Sequence, residues 1–263
     1  MNSIDKIQIT ALIVARNEEK NIKACIESLD SIDEIVLLVD RTNDNTINIA
    51  KTFNCTIYEG NWESEGKRRN EGISKCSNNW ILELDADERA NKELIKEAKN
   101  KIHLLKDNSK GYFLIPFDNY IGNKRVRYGW GASWGVSSKP CLFNKNSKIW
   151  GNENIHPSLE LKNRQGFLTN RIDHYVDSNI SDMMLRLDRY TSAKAEDIRK
   201  SSIKIPPLWI TIRRSLTRFY KCYITRKGYK EKGWGFLNAT FAALYVLISY
   251  LKADLEENNN PKI

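Results

Sequence analysis

The sequence predicts an α/β fold: a mainly parallel sheet flanked by helices, followed by a C-terminal helical extension. Three observations carry this expectation. Short apolar runs, "IQITALIVA" at 7–15, "EIVLLVD" at 34–40 and "WILEL" at 80–84, read as buried strands. Stretches with apolar residues at helical spacing lie between them, and strands alternating with helices build parallel sheets covered on both faces. From about residue 180 the pattern is helical to the end.

Between the first two strands, "NEEKNIKACIESL" predicts a helix. Asn17 can cap it, Glu18 and Glu19 suit its positive N-terminus, and Ile22, Ile26 and Leu29 recur on one face. A helix near 44–53 follows, for which Asp44 in "DNT" is the better cap. Next come a strand at "CTIYE", a basic helix near 66–76, the strand at 80–84 and a helix from about 91 to 104. After residue 110 the chain turns strand-rich and irregular, with "GYFLIPF", "KRVRY", "KPCLF" and "NRIDHYV" separated by Gly, Asn and Ser turns. Such a half builds a second wall of a substrate site. The expected domain border lies at 175, with 1–175 sheet-based and 176–263 a basic, aromatic, helical extension. The extension is broken at Pro206-Pro207 and at Gly228 to Gly235.

At 263 residues and 41% apolar content the chain can bury one substantial core. A formal charge of +9 favours anionic partners such as nucleotides, lipid head groups or nucleic acid, without choosing among them. Five scattered cysteines without a C-x-x-C spacing fit reduced thiols. The start "MNSIDKIQIT" lacks the apolar segment of a secretory signal, so a cytoplasmic protein is expected. No G-x-G-x-x-G follows the first strand, and G-x-x-x-x-G-K-[ST] does not occur. These absences argue against a dinucleotide enzyme and a P-loop ATPase.

Ligands of such sheets bind at the carboxyl ends of the strands, and this edge carries the candidate chemistry. Asp85 and Asp87 are two apart, so on extended backbone they share a face and can hold Mg²⁺ or Mn²⁺; the alternative is an ordinary acidic turn. Glu88 suits the start of the following helix. Asp40 closes the second strand and can accept from a base N–H or a ribose hydroxyl, or serve as a turn residue. Lys67, Arg68 and Arg69 gather at a helix start, where they can grip a diphosphate or form a solvated basic face, and Arg16 follows the first strand. Of the histidines, His156 can be a third metal ligand, His174 reads as a hydrogen-bonded core residue and His103 as a helix surface residue.

In order and spacing, "ALIVARNEEKNIKACIESL", "DEIVLLVDRTNDNTINIAK", "GKRRNEGI" and "WILELDADER" resemble the nucleotide-binding half of family 2 glycosyltransferases with the GT-A fold. "NYIGNKRVRYGW", "KPCLFNKNSKIWGNENIHPSL" and "HYV" further resemble a bacterial subgroup of lipopolysaccharide inner-core glucosyltransferases. The likeness covers roughly residues 8 to 175. It implies that Asp40 contacts the uracil of a UDP-sugar and Arg69 the phosphate region. Asp85 would meet the ribose or metal, Asp87 the metal, and His156 the metal or diphosphate, while Gly129 and Trp130 shape the sugar and acceptor pocket. Relatives commonly read His-Glu where this chain has His156-Pro157. That Glu would be the natural general base; Glu153 is the nearest substitute, with Glu160 and Asp118 behind it.

The expected function is transfer of a hexose from a UDP-sugar to a glycolipid or cell-envelope glycan, inverting and metal-dependent, at the inner face of the cytoplasmic membrane. Rival readings are a sugar-phosphate nucleotidyltransferase and a catalytically dead RNA- or membrane-binding protein; no nucleic-acid partner is expected under the main reading. Between Ile203 and Gly233 nine Lys or Arg stand against one acid. Trp209, Ile212, Leu216, Phe219 and Tyr223 predict one apolar stripe there, with Arg214, Arg218 and Lys221 opposite. That pattern fits an anionic membrane surface or a helix packed on the rest of the chain. "WGFLNATFAALYVLISYL", uncharged over Trp234 to Leu251, predicts a buried or interfacial helix that can also pack a homodimer.

Overall fold

The computed structural model describes residues 7–107, 109–130, 137–151, 158–201 and 206–256. The chain forms two compact units, Met1–Asp118 with Ser137–His174, and Asn119–Val136 with Tyr175–Ile263. Residues 119–136, which carry no sequence signal of separation, thus join the second unit.

The first unit opens with β1 (Ile9–Ala15), α1 (Ile22–Glu27), β2 (Glu34–Asp40), α2 (Thr46–Ala50), β3 (Thr56–Gly60), α3 (Glu65–Lys75) and β4 (Trp80–Asp85). There follow β5 (Glu88–Arg89), α4 (Lys92–His103) and β6 (Tyr112–Ile121), whose residues from Asn119 onward belong, with β7 (Lys124–Val126), to the second unit. The first unit resumes with β8 (Ser138–Asn144), β9 (Lys148–Trp150), β10 (Leu159–Leu161), β11 (Arg164–Phe167) and β12 (Ile172–Asp177), the last passing to the second unit after His174. The strands line up as β3-β2-β1-β4-β8-β6, the first four parallel and β8 antiparallel to both neighbours.

Every residue of β1 is buried, as a central parallel strand requires. Leu12, Val36, Leu38, Ile73, Ile81 and Phe143 pack into one cluster beneath α3. Helix α3 comes close because Gly72 faces the sheet: a Cβ there would lie 2.8 Å from Leu12 Cδ1 and 3.2 Å from Leu38 Cδ2. Ser64 caps α3 by accepting the Lys67 N–H at 3.3 Å, and Asn91 caps α4 by accepting that of Leu94 at 2.8 Å. The first helix differs from expectation. It starts at Ile22, and Asn17 is not its cap but sits at φ 56°, its side-chain oxygen accepting the Asn43 N–H at 2.9 Å.

The second unit contains α5 (Ile180–Lys200), α6 (Leu208–Tyr220) and α7 (Gly233–Leu255). A π-helical turn (Lys221–Thr225) extends α6, and a 3₁₀ turn (Gly228–Glu231) precedes α7. Met183, Leu187, Cys222, Ala239, Phe241 and Ala242 form its core. Among the described residues α7 is the one helix long and apolar enough to cross a membrane by length and composition. Its polar ties run to the other helices: Ser215 Oγ donates to Ala243 O at 2.8 Å and Arg199 to Lys252 O at 2.9 Å. The expected single stripe on α6 is split. Thr211 and Ser215 are buried and Phe219 and Tyr223 are partly buried against the core, while Trp209, Ile212 and Leu216 stay exposed.

Glu34, at the start of β2, ties three segments together. It accepts from Thr10 Oγ1 of β1, and from Ser77 N at 2.9 Å and Ser77 Oγ at 2.7 Å ahead of β4. Burial opposes its ionisation, but these hydrogen bonds prevail and hold the carboxyl below its usual value. A lowered folded-state pKa means stability that is present above about pH 4.5 and is lost as pH falls through the folded value. Glu34→Gln therefore costs about 1 kcal/mol at pH 7, and the cost shrinks as pH falls through the folded value. Urea titrations of both proteins at pH 7 and over a descending acid series check this; a loss that does not shrink with pH removes the ionic contribution.

Candidate active site

The parallel strands β1, β2 and β4 end together, with Ala15 opposite Val39 and Val14 opposite Asp85. Asp40 and Asp85 therefore lie at one edge. Asp40 is buried, and its four acceptor positions are filled. Oδ1 takes Arg41 Nε at 2.9 Å and Trp62 N at 3.4 Å; Oδ2 takes Arg41 Nη2 at 2.8 Å and Arg68 Nη1 at 3.4 Å. Burial works against its charge, yet Arg41, the Trp62 N–H and Arg68 hold the carboxyl below the usual range. Arg41 itself is left-handed at φ 46°.

The loops after β1 and β2 are laced together. Thr46 Oγ1 accepts the Glu18 N–H at 2.8 Å, Asp44 Oδ2 accepts the Glu19 N–H at 2.9 Å, and Asp44 Oδ1 accepts the Thr46 N–H at 3.0 Å. Glu18, Glu19 and Asp44 line a cleft of about 460 Å³ with Asn17, Lys20, Asn21 and Asn43. Glu18 faces inward here: burial, and then the Asp87, Asp85 and Asp44 carboxylates, push its pKa up against a hydrogen bond from Asn21.

Asp85 belongs to a chain of alternating charges. Arg69 Nη2 reaches its Oδ1 at 2.7 Å and Lys139 Nζ its Oδ2 at 3.0 Å. Arg69 also pairs with Glu65 at 2.8 Å and with Glu83, which Lys148 meets from the other side at 2.6 Å. Lys139 continues to Glu88. Burial disfavours charge on Asp85, but Arg69 and Lys139 hold its carboxyl well below the usual range. Glu88 is not at a helix start. It is 1% exposed on β5, accepts the Asp85 N–H at 3.1 Å, and is pushed up to about 7 by burial and by Asp85, with Lys139 opposing.

Strand β12 supplies the partner that sequence reasoning assigned to the core. His174 pairs with Glu88 across β5, and its Nε2 lies 3.5 Å from Asp87 Oδ2. Ligand atoms of Asp87, Glu88 and His174 all lie within 4.8 Å of one another. Asp87 Oδ1 is buried and has no hydrogen-bond partner among the described residues. The signal for His174 was faint because β5 is only two residues long.

The remaining expected residues distribute as follows. Arg69, expected at the phosphate region, pairs with Glu65, Glu83 and Asp85. Asp85, expected to meet the ribose or metal, is paired through its two oxygens with Arg69 and Lys139. Lys67 is exposed and pairs with Glu63; Arg16 is exposed at the end of β1. Trp130 lies in the second unit, its indole donating to Val126 O at 2.6 Å, and beside it Gly129 at φ 82° packs on Gly228. Asp118 pairs with Arg171 at 3.6 Å and Glu160, exposed, with Lys162 at 2.9 Å. Glu153, His156 and Pro157 lie outside the described residues.

The family model for glycosyl transferase family 2 matches residues 10–152. An "Uncharacterized glycosyltransferase" of Rickettsia felis is 23% identical over 96% of this chain and 92% of that protein. The "Lipopolysaccharide core biosynthesis glycosyltransferase LpsC" of Rhizobium meliloti is 24% identical over 95% and 93%. Among solved structures, S. aureus TarS 1-349 in complex with UDP shares the fold at a TM-score of 0.50, with 13% identity over 94% of this chain and 92% of that one. A match that takes in more than half of the 263 residues and spans the ends of β1, β2 and β4 shows that this chain belongs to glycosyl transferase family 2, as a glycosyltransferase of the GT-A fold.

Proposed function

We propose that the enzyme transfers a hexose from a UDP-sugar, with inversion and with Mg²⁺ or Mn²⁺ bound, to a glycolipid or cell-envelope glycan at the cytoplasmic face of the membrane. One observation carries this reading: a single strand edge presents a buried carboxylate, Asp40, and a buried oxygen without a partner, Asp87 Oδ1, beside His174. The first suits the N–H donors of a base. The second, with an imidazole nitrogen close by, suits a divalent cation. The UDP complex of TarS supports the nucleotide, and the name of LpsC supports a lipopolysaccharide-type acceptor.

Asp87 and His174 would hold the cation, with Glu88 at the edge of the donor set; His156 is a further proposed ligand. When bound, the ion neutralises diphosphate charge as UDP leaves. Asp85, kept ionised by Arg69 and Lys139, fixes the negative potential at that edge and is proposed to accept from a ribose hydroxyl. Arg16 and Lys67, both exposed, are proposed to reach the phosphates, Lys67 by exchanging Glu63 for them, and Trp130 is proposed to bound the sugar. Glu153 is the proposed base: it takes the acceptor hydroxyl proton while that oxygen attacks the anomeric carbon from the face opposite UDP.

Two variants separate the anchor points. In calorimetric titrations, Asp87→Asn or His174→Ala lowers Mn²⁺-dependent UDP affinity about tenfold or more and leaves metal-free binding unchanged. An Mn²⁺ dependence equal to that of the parent in both variants overturns the metal assignment. Asp40→Asn weakens UDP about tenfold with or without Mn²⁺, since an amide oxygen is a weaker acceptor than a carboxylate and the amide N–H₂ meets a donor. A loss confined to the metal-loaded state would place Asp40 elsewhere in the mechanism.

A further inference from the structure

Helix α6 faces two ways. Thr211 and Ser215 lie on its inner side, where Ser215 reaches Ala243 of α7. At about 100° per residue, Ile212, Leu216, Trp209 and Tyr220 fall on a different arc, with Leu208 and the partly buried Phe219 at its border with the inner side. Leu208, Trp209, Ile212, Leu216 and Tyr220 are exposed, at 55, 64, 43, 66 and 61%, and Ile224 at 42% prolongs the arc onto the π-helical turn. So many large apolar side chains in one exposed row mark an interaction surface.

Charge selects the partner. From Leu208 to Lys232 there are eight Lys or Arg and one acid, Glu231, whose carboxylate is occupied by the N–H groups of Arg127 and Tyr128 at 2.8 and 3.2 Å. Arg213 falls at the outer end of the apolar row and Lys221 beyond it, both exposed, with stems long enough to lift their charges out of an apolar layer, while Arg214 donates to Tyr250 Oη of α7 at 3.1 Å. A second copy docking through this face would set like charges against each other. We propose that the outer arc of α6 docks in the plane of an anionic lipid bilayer, with Trp209, Ile212 and Leu216 entering the interfacial zone and the basic margin meeting the head groups. This deepens the membrane part of the proposed function and is independent of the nucleotide site.

Flotation of the full chain with vesicles tests it, using phosphatidylcholine alone or with about one-third phosphatidylglycerol. The chain floats with the anionic vesicles and is released by salt. Arg213→Gln/Lys221→Gln loses about thirtyfold in partitioning to those vesicles. Trp209→Ser/Leu216→Ser loses about tenfold or more on them, because the lost apolar area no longer enters the layer. Unfolding midpoints and Mn²⁺-UDP titrations stay as in the parent, which shows that fold and donor site are intact. Full flotation of Trp209→Ser/Leu216→Ser, or no binding of the parent to anionic vesicles, overturns the proposal. So does a parent dimer that this variant splits in sedimentation, which would give the arc to a second copy. Parent protein that floats but fails to bind UDP would instead overturn the donor assignment alone.

Discussion

The first unit depends on a buried line of alternating charge: Lys148, Glu83, Arg69, Asp85, Lys139, Glu88. Glu83 and Asp85 point to the same side of β4 because they are two apart, while Leu82 and Leu84 serve the other side. Each cation arrives on a different element, Arg69 from α3, Lys139 from β8 and Lys148 from β9, so the line pins those elements to the central strand. Arg69 and Lys148 both lie over the Trp150 ring, at 5.0 and 4.8 Å. A line of this kind is weak as net stabilisation but costly to interrupt, since a missing member strands a buried charge at about 3–5 kcal/mol. Its main product is a fixed Asp85.

The same edge holds acids in two electrostatic settings. Burial disfavours charge on all four, but cations keep Asp40 and Asp85 ionised, whereas Glu18 and Glu88 keep raised pKa values because neighbouring carboxylates add to burial. Asp87 contributes to raising both of the latter. Adding positive charge beside Asp87 relieves both at once. This is the physical content of an acidic turn at the end of a buried strand: local cations hold part of it ionised, and under the proposed function a bound divalent cation would offset the remaining repulsion.

Much of the fold was legible because β1, β2 and β4 are continuous apolar runs that alternate with stretches of helical spacing. What was not legible depends on tertiary contacts. Asn17 reads as a cap, but Thr46 and Asp44 take the N–H groups of Glu18 and Glu19, and the helix starts at Ile22 instead. His174 reads as a core residue because its partner strand is two residues long. Arg69 reads as a diphosphate-gripping residue or part of a solvated basic face, and Lys148 carries no signal, because nothing in the spacing shows that Glu83 is buried. The stripe on α6 was visible but not its division, since Thr211 and Ser215 are polar and yet buried, Ser215 bonding to Ala243 of α7. Asp40 and the pair Asp85 and Asp87 were visible because strand ends in a parallel sheet converge on one edge.

Asp40 shows how such a site can exist before its ligand arrives. A buried carboxylate without donors would cost several kcal/mol or take up a proton. Here Arg41 supplies two donors, and it does so from a left-handed backbone that a non-glycine residue adopts at a cost of about 1 kcal/mol. Asn17, also left-handed, and Thr42 brace that turn through the Asn43 and Asn17 N–H groups. Under the proposed function, a base N–H replaces one Arg41 donor, and the guanidinium is the group able to yield because its side chain is 45% exposed whereas that of Arg68 is 16% exposed. The carboxylate stays ionised and fully hydrogen-bonded in both states, so nucleotide entry exchanges donors at constant charge and avoids the desolvation cost of an unpaired anion.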